Sequence, residues 1–336
     1  MLPSSAGTSH AEAAAASSIP ENKPAAICQN RAFRKGPRGS MAGILSPRLG
    51  VLALLIIATT FGSNHVAARV AFDHGASVTT AVAIRSGFTA LFLFALMRAL
   101  DVPMALPRPT LARALSIGVL IAVQSFCLYS SVARIPVAFA LLAFNTFPML
   151  LALLSWASGG ERPGARALLA MPVALAGLAL ALDVAGKTGD IAGRWQEIGA
   201  GVGWALGAAI SFALALLLTA RWLKEVDGRL RTFLMMGVTA IVVVVAGIAT
   251  DAFDFPTASG GWFGLALLTV FYGSAITALF IVLPHLGTAN YAVVLNFEPI
   301  AVLFLAWGFL GQAVAPLQIL GAFIVIGAIT LPAVKR

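Results

Sequence analysis

The sequence predicts an all-α polytopic membrane protein: ten transmembrane helices arranged as two inverted five-helix repeats. Three observations predict it. The 336 residues are 60% hydrophobic and only 10% charged, with a mean hydropathy of +0.94, whereas a soluble domain carries roughly 25% charged residues. A soluble fold of this composition would expose large apolar patches and aggregate. From Leu49 onward, apolar segments of about 20 residues follow one another, each long enough to cross a hydrocarbon core of about 30 Å as a helix. Finally, the second half of the chain repeats the first at an offset of about 151 residues.

Residues 1–40 form a separate compositional block. AEAAAASS is low-complexity, and Pro20, Pro24 and Pro37 stand among polar residues. Nothing there can bury a core, so a disordered tail is expected. Its one apolar run is short and Ala-rich, unlike the core of a signal peptide. Met41 opens a compact MAGILSPR leader, so the start can be Met1 or Met41. The rest divides into a first five-helix repeat at 41–184, a linker at 185–198 and a second repeat at 199–336.

The predicted spans are 49–69, 77–97, 114–133, 136–157, 167–184, 200–220, 232–250, 262–283, 288–309 and 315–333. Arg134-Ile135-Pro136 reads as a tight turn between two of them, because the residue before proline resists the α region. Pro284-His285-Leu286-Gly287 reads the same way. Merging either pair would need a span of over 40 residues, which no bilayer accommodates.

Lysine and arginine set the orientation. Lys23, Arg31, Arg34, Lys35, Arg38 and Arg48, then Arg98, Arg108 and Arg113, then Arg162 and Arg166, then Arg221, Lys224, Arg229 and Arg231, and finally Lys335 and Arg336 all fall on one side of a ten-span chain. The opposite side receives Arg69, Arg134, Lys187 and Arg194. Both termini are therefore expected in the cytoplasm of a bacterial-type inner membrane. The net charge of +9 fits loops at an anionic leaflet rather than nucleic-acid binding. Cys28 and Cys127 form neither a metal spacing nor a disulfide framework. No cofactor or metal is expected. The partners are a small-molecule solute and the lipid bilayer, with a homodimer compatible.

Gly50-Val51 recurs as Gly201-Val202, and Phe61 as Phe212. More tellingly, Asn145, Pro148, Trp156 and Gly160 recur in register as Asn296, Pro299, Trp307 and Gly311. Five helices per half is an odd number, so the second half enters the membrane from the opposite face. Carriers with such repeats hold their solute near the midplane between the halves and expose it alternately to each side.

FGSNHVAAR in span 1, IRSGFTALFLFAL in span 2, FNTFPMLLALLSW with GGERPG after span 4, and LNFEPIAVLFLAW with LGQ after span 9 resemble the drug/metabolite transporter superfamily, specifically its EamA-type members. The resemblance covers residues 49–333 and implies a secondary transporter, with export as its usual direction, for metabolites, amino acids or drugs. Where the family often has Gly-Glu after span 9, this chain has Gly311-Gln312, so a symmetric acid pair with Glu161 is absent.

Each charge inside a membrane costs about 2.5–3.5 kcal/mol or more, so each needs a reason. Glu298 lies about ten residues into span 9, about 15 Å deep. It is expected either to face a cavity and bind a cation or a proton, or to serve as a protonated or Arg-paired strut. Tyr291, seven residues earlier, shares its face. Arg85 in span 2 can hold a solute carboxylate with two hydrogen bonds, or pair with Glu298, or cap free carbonyls. Histidine titrates near neutrality, so His65 can carry protons or can be a satisfied residue near a helix end. Asn64, Gln124, Asn145 and Asn296 offer amides for helix-to-helix bonds or solute contact. Pro148 and Pro299 should kink or break their helices. Gly199, Gly203, Gly207 and Ser211 form a small-residue stripe suited to close helix packing, and Trp156 and Trp307 suit interfacial belts.

The chain has no phosphate-binding glycine loop, so ATP is not expected as a direct driver. An intramembrane enzyme would need a nucleophile with its base or metal ligands at workable spacing, and neither H-E-x-x-H nor G-x-S-x-G is present. A channel or scramblase remains the closer alternative to a carrier. It would pass solute without acceleration by counter-solute.

Overall fold

The computed structural model describes residues 47–160, 162, 165–181, 191–282, 297–312 and 315–330. They belong to one unit, Ile44–Arg336, and fold as helices. In chain order these are α1 (Pro47–Asp73), α2 (Val78–Ala99), α3 (Arg108–Arg134), α4 (Val137–Phe144), α5 (Phe147–Ala157), α6 (Ala165–Ala181), α7 (Ile191–Trp222), α8 (Gly228–Thr250), α9 (Ser259–Val282), α10 (Glu298–Leu310) and α11 (Pro316–Thr330). By length and composition, six stretches among the described residues can cross a membrane: α2, α3, Val137–Ala157, Ile198–Trp222, α8 and Ser259–Leu279. Residues 1–40, the 284–287 turn, Tyr291 and Asn296 lie outside the described residues.

Local chemistry sets the boundaries. Ser77 caps α2 by accepting a hydrogen bond from the Thr80 amide at 3.2 Å, which satisfies one of the free donors at a helix start. The helix α3 ends at Arg134, and Ile135 is extended at φ −125°, ψ 164° before Pro136. That is the tight turn the sequence suggests. Gly311 ends α10 in the left-handed region at φ +61°, a conformation glycine adopts without steric cost.

Two boundaries refine the expectation. The span expected at 136–157 takes the broken form of the two expected at Pro148. It stops at Phe144 and restarts at Phe147, with Pro148 in the first turn of α5. Pro299 sits likewise at the start of α10. In a first turn the missing proline N–H costs nothing, because that donor would be free in any case. Pro148 therefore starts a new helical segment instead of bending a continuous one. The other difference is α7, which begins at Ile191, inside the stretch read as linker.

The helix pairings obey a swap of the two halves. Helix α1 of the first half packs on α9 of the second, and α7 of the second packs on α3 of the first. The contact of α3 with α8 mirrors that of α9 with α2, and α1 with α10 mirrors α7 with α5. The pairs α2–α8 and α6–α11 map onto themselves. This is the pattern of a pseudo-twofold relation between two repeats.

At one end of the bundle, the connection after α1 is tied to the connection after α8. Ser77 Oγ donates to the Ala252 carbonyl at 2.8 Å, Thr80 Oγ1 to the Asp254 carbonyl at 2.8 Å, and the Ser77 amide to the same Asp254 carbonyl at 3.0 Å. Elsewhere, the Arg221 guanidinium at the end of α7 donates to Ser158 Oγ at 2.8 Å. Arg113 lies over the Trp222 ring, 5.8 Å from its centre.

The stripe on α7 is not the packing seam it resembles. A side chain at Gly203 would meet open space, and one at Gly207 only Cys127 Sγ at 3.8 Å. The tightest backbone approach of this kind joins α6 to α11, where a Cβ on Gly321 would lie 2.4 Å from the Ala181 nitrogen and 2.6 Å from the Gly177 carbonyl oxygen. Small-residue spacing marks where helices can approach, and the wider pairing decides where they do.

Candidate functional site

Inside the bundle, α1, α2, α3, α9 and α10 bring a set of polar side chains together in an otherwise apolar interior. Asn64 is 0% exposed, Arg85 3%, His65 6% and Tyr129 0%. The guanidinium of Arg85 donates from Nη2 to Ser125 Oγ at 3.0 Å and from Nη1 to the Tyr129 hydroxyl at 3.3 Å. The Tyr129 hydroxyl in turn donates to Asn64 Oδ1 at 2.5 Å. Because Asn64 Nδ2 donates to the Phe61 carbonyl at 3.1 Å, its oxygen is left free to accept. Ser125 Oγ passes its own proton toward Gln124 Oε1 at 3.4 Å. Both chains of dipoles thus turn their oxygen ends toward the cation, and aligned hydrogen bonds of this kind reinforce one another.

Two tyrosine rings complete the surroundings of Arg85. Its guanidinium carbon lies 4.0 Å from the ring centre of Tyr272 and 4.9 Å from that of Tyr129. Desolvated cation–π contacts contribute about 2 kcal/mol or more each, comparable with the insertion cost of about 2.5–3.5 kcal/mol for the charge. Among the described residues no carboxylate reaches Arg85. The expected alternative of an Arg85–Glu298 pair is therefore not formed, since Arg85 is held by neutral oxygens and rings. Its Nε is buried without a partner, as is Ser86 Oγ beside it.

Glu298 is instead paired with His65, whose Nε2 lies 3.5 Å from Glu298 Oε1. The Glu298 side chain is 24% exposed and that of His65 is 7%. His65 Nδ1 is buried and unpartnered, and the His65 ring lies 5.6 Å from that of Tyr129. Tyr129 therefore touches both the Arg85 group and the His65 group. The close seat of α10 on α1 is set by Gly62, where a Cβ would lie 2.7 Å from Val302 Cγ2.

The other candidates fall elsewhere. Asn145 ends α4, and its Nδ2 donates to the Leu141 carbonyl one turn back at 2.7 Å. Among the described residues its side chain bonds only within its own helix. Thr89, one turn on from Arg85, donates its Oγ1 proton to the Arg85 carbonyl at 2.8 Å, a bond within α2. Trp156 and Trp307 are both exposed on the bundle surface. Sequence reasoning missed Ser125, Tyr129 and Tyr272. The available signal was scarcity: the chain has three tyrosines, and two of them hold Arg85.

An apolar cavity of about 380 Å³ lies between α2, α3, α7 and α8, with Phe126, Cys127, Trp204 and Val243 in its walls. It shares no residue with the polar cluster and carries no charged side chain.

At the repeat offset, Leu216 stands where the first half has His65, and Met236 where it has Arg85. Phe147 occupies the position equivalent to Glu298, and packs on Phe212 with ring centres 4.8 Å apart. A symmetric scaffold thus carries an asymmetric site.

The sequence model of the EamA-like transporter family matches residues 48–182 and again 199–333. No curated protein shows a significant match to the sequence. Among solved structures, a crystal structure described only as that of a protein is similar in fold, with a TM-score of 0.56 and 18% identity. That match covers 85% of this chain and 99% of the other.

Proposed function

The chain belongs to the EamA-like transporter family, a family of membrane transporters, and from that premise we propose that it is a secondary carrier of a small metabolite, such as an amino acid or another amphipathic compound. In this reading ten spans form two repeats of opposite orientation, with both termini in the cytoplasm of an inner membrane and export as the direction of net flux. The carrying observation is the His65–Glu298 contact at 3.5 Å. It joins the two repeats through two ionisable groups inside the bundle, and ionisable groups at such a place mark solute or proton pathways.

Alternating access then consists of the two repeats rocking against each other, so the contact must open and close in each cycle. Glu298, the more accessible partner, exchanges its proton with the exposed side. When deprotonated it holds His65, and when protonated it releases α10 from α1. Net movement of solute is thereby linked to a pH gradient. A channel would need no such break.

The test is transport in proteoliposomes, with metabolite pools fractionated until one solute gives counterflow. Wild-type protein is expected to show acceleration by counter-solute and a response to an imposed pH gradient. Glu298→Gln is expected to keep counterflow and lose the pH response. Flux without counter-solute acceleration would replace the carrier reading with a channel, and an unchanged pH response in Glu298→Gln would remove Glu298 from coupling.

A further inference from the structure

We propose that Arg85 is the anchor for a carboxylate group of the transported solute, which makes the solute an organic anion or a molecule with one free carboxylate. This rests on the carrier reading above and assigns the substrate class of the same site.

The argument starts from what Arg85 lacks. A guanidinium that is 3% exposed would ordinarily be matched by an acid, since buried charges are paired. Here every partner is neutral: Ser125 Oγ at 3.0 Å, the Tyr129 hydroxyl at 3.3 Å and the faces of Tyr272 and Tyr129. Glu298, the acid that the fold places inside the bundle, is engaged by His65. The site holds one uncompensated positive charge among the described residues, and its Nε hydrogen is buried with no acceptor. Arginine presents its donors as a planar fork that matches the two oxygens of a carboxylate. Its present bonds run to the neutral hydroxyls of a serine and a tyrosine, and a carboxylate in their place would add the attraction of opposite charges and a bidentate geometry.

The rings explain how the fork is kept ready. Tyr272 comes from the second repeat and lies against the guanidinium face, which leaves the edge of the fork to bind in its plane. The Tyr129 hydroxyl accepts from Arg85 and donates to Asn64 on α1. A carboxylate that draws Nη1 away from Tyr129 therefore disturbs the seat of α1, on which α10 also rests. Solute binding at Arg85 is thus in physical contact with the His65–Glu298 link.

The experiment is a thermal-shift titration of the full chain in lipid nanodiscs. Phenylacetate, benzoate and acetate are each compared with the neutral amide of the same shape, since ligands of the native state raise apparent stability. A saturable shift by at least one carboxylate and none by its amide is the expected result. In Arg85→Gln the apparent affinity should fall by at least about tenfold, with partial recovery in Arg85→Lys, because a lysine keeps the charge and loses the fork. Equal shifts by acid and amide, no shift by any carboxylate, or undiminished affinity in Arg85→Gln would overturn the assignment. The acid–amide comparison in wild-type protein decides the matter even where the variants do not fold. Counterflow that proceeds with a solute lacking a carboxylate sinks this inference and leaves the carrier reading intact. Carboxylate binding through Arg85 without any counterflow sinks the carrier reading alone.

Discussion

His65 in the first repeat and Glu298 in the second stand 3.5 Å apart, Nε2 to Oε1, and through them α1 is joined to α10. Residues in direct contact do not contribute independently to stability, and a double-mutant cycle isolates their interaction. For His65→Ala and Glu298→Ala, the coupling is expected at about 0.5–3 kcal/mol. Thermal or denaturant unfolding in detergent measures it. Effects that simply add would show that the two side chains are neighbours without a link.

Tyr129 is the second point of leverage, because its hydroxyl serves both Arg85 and Asn64. Tyr129→Phe keeps the ring over the guanidinium but leaves Arg85 Nη1 and Asn64 Oδ1 without that partner. An unsatisfied buried polar group costs about 1–3 kcal/mol, so the variant should lose stability of that order. Ser116→Ala is the control, since its hydroxyl bonds only to the Arg113 carbonyl on an exposed face. Equal melting of the two variants would mean that water replaces the tyrosine hydroxyl.

The site was partly legible. Intramembrane cost alone singled out Glu298, Arg85, His65 and Asn64, and the fold does bring Asn64 and Arg85 onto one tyrosine, with His65 beside it. What the sequence could not supply was partner choice. Pairing Arg85 with Glu298 is the natural guess when charges are counted, yet the seat of α10 on α1 gives Glu298 to His65. Ser125 and Tyr129 lie four residues apart on one face of α3, and Tyr272 lies far away on α9. Only the packing of α2 between them shows that they surround the same guanidinium. The repeat was legible from Asn, Pro, Trp and Gly in register, but it misleads about the site, whose polar residues have apolar counterparts.

Close helix packing gives a sharp contrast between two glycines. A Cβ at Gly321 would lie 2.4 Å from the Ala181 backbone, which cannot give way as a side chain can, while one at Gly203 meets nothing within 4 Å. Gly321→Ala should therefore cost about 1–3 kcal/mol, the range for overpacking. Gly203→Ala should be neutral or slightly stabilising, because alanine is the better helix former. Melting temperatures of the two purified variants decide it. A destabilised Gly203→Ala would restore the stripe on α7 as a packing seam.

Asp227 caps α8 and accepts from the Arg229 amide at 2.8 Å and from its guanidinium at 2.9 and 3.1 Å. The side-chain bond to Arg229 holds this carboxylate below its ordinary value of 3.8. A lowered folded value means stability that is present above the unfolded value and disappears as pH falls through the folded one. The gap in melting temperature between wild type and Asp227→Asn should be constant at neutral pH and should close on acidification below the ordinary aspartate range. A gap that persists there would assign the cap to something other than the ionised carboxylate.

Ser77 ties the two repeats together at one end of the bundle. Its Oγ donates to the Ala252 carbonyl at 2.8 Å and accepts from the Asp254 amide at 3.2 Å, beside the Thr80 bond to the Asp254 carbonyl at 2.8 Å. These bonds cross between the two repeats, so a rocking carrier must break them to open this end. A contact made in only one of two states shifts their populations by its own free energy. Ser77→Ala removes two such bonds, each contributing about 0.5–1.5 kcal/mol, and should enrich the state open at this end several-fold. Spin labels placed at Gly75 and Asp251, read by pulsed distance measurement, should show a larger long-distance fraction in Ser77→Ala than in the parent. An unchanged distribution would mean that the latch survives in both states, and that the two repeats part at another place.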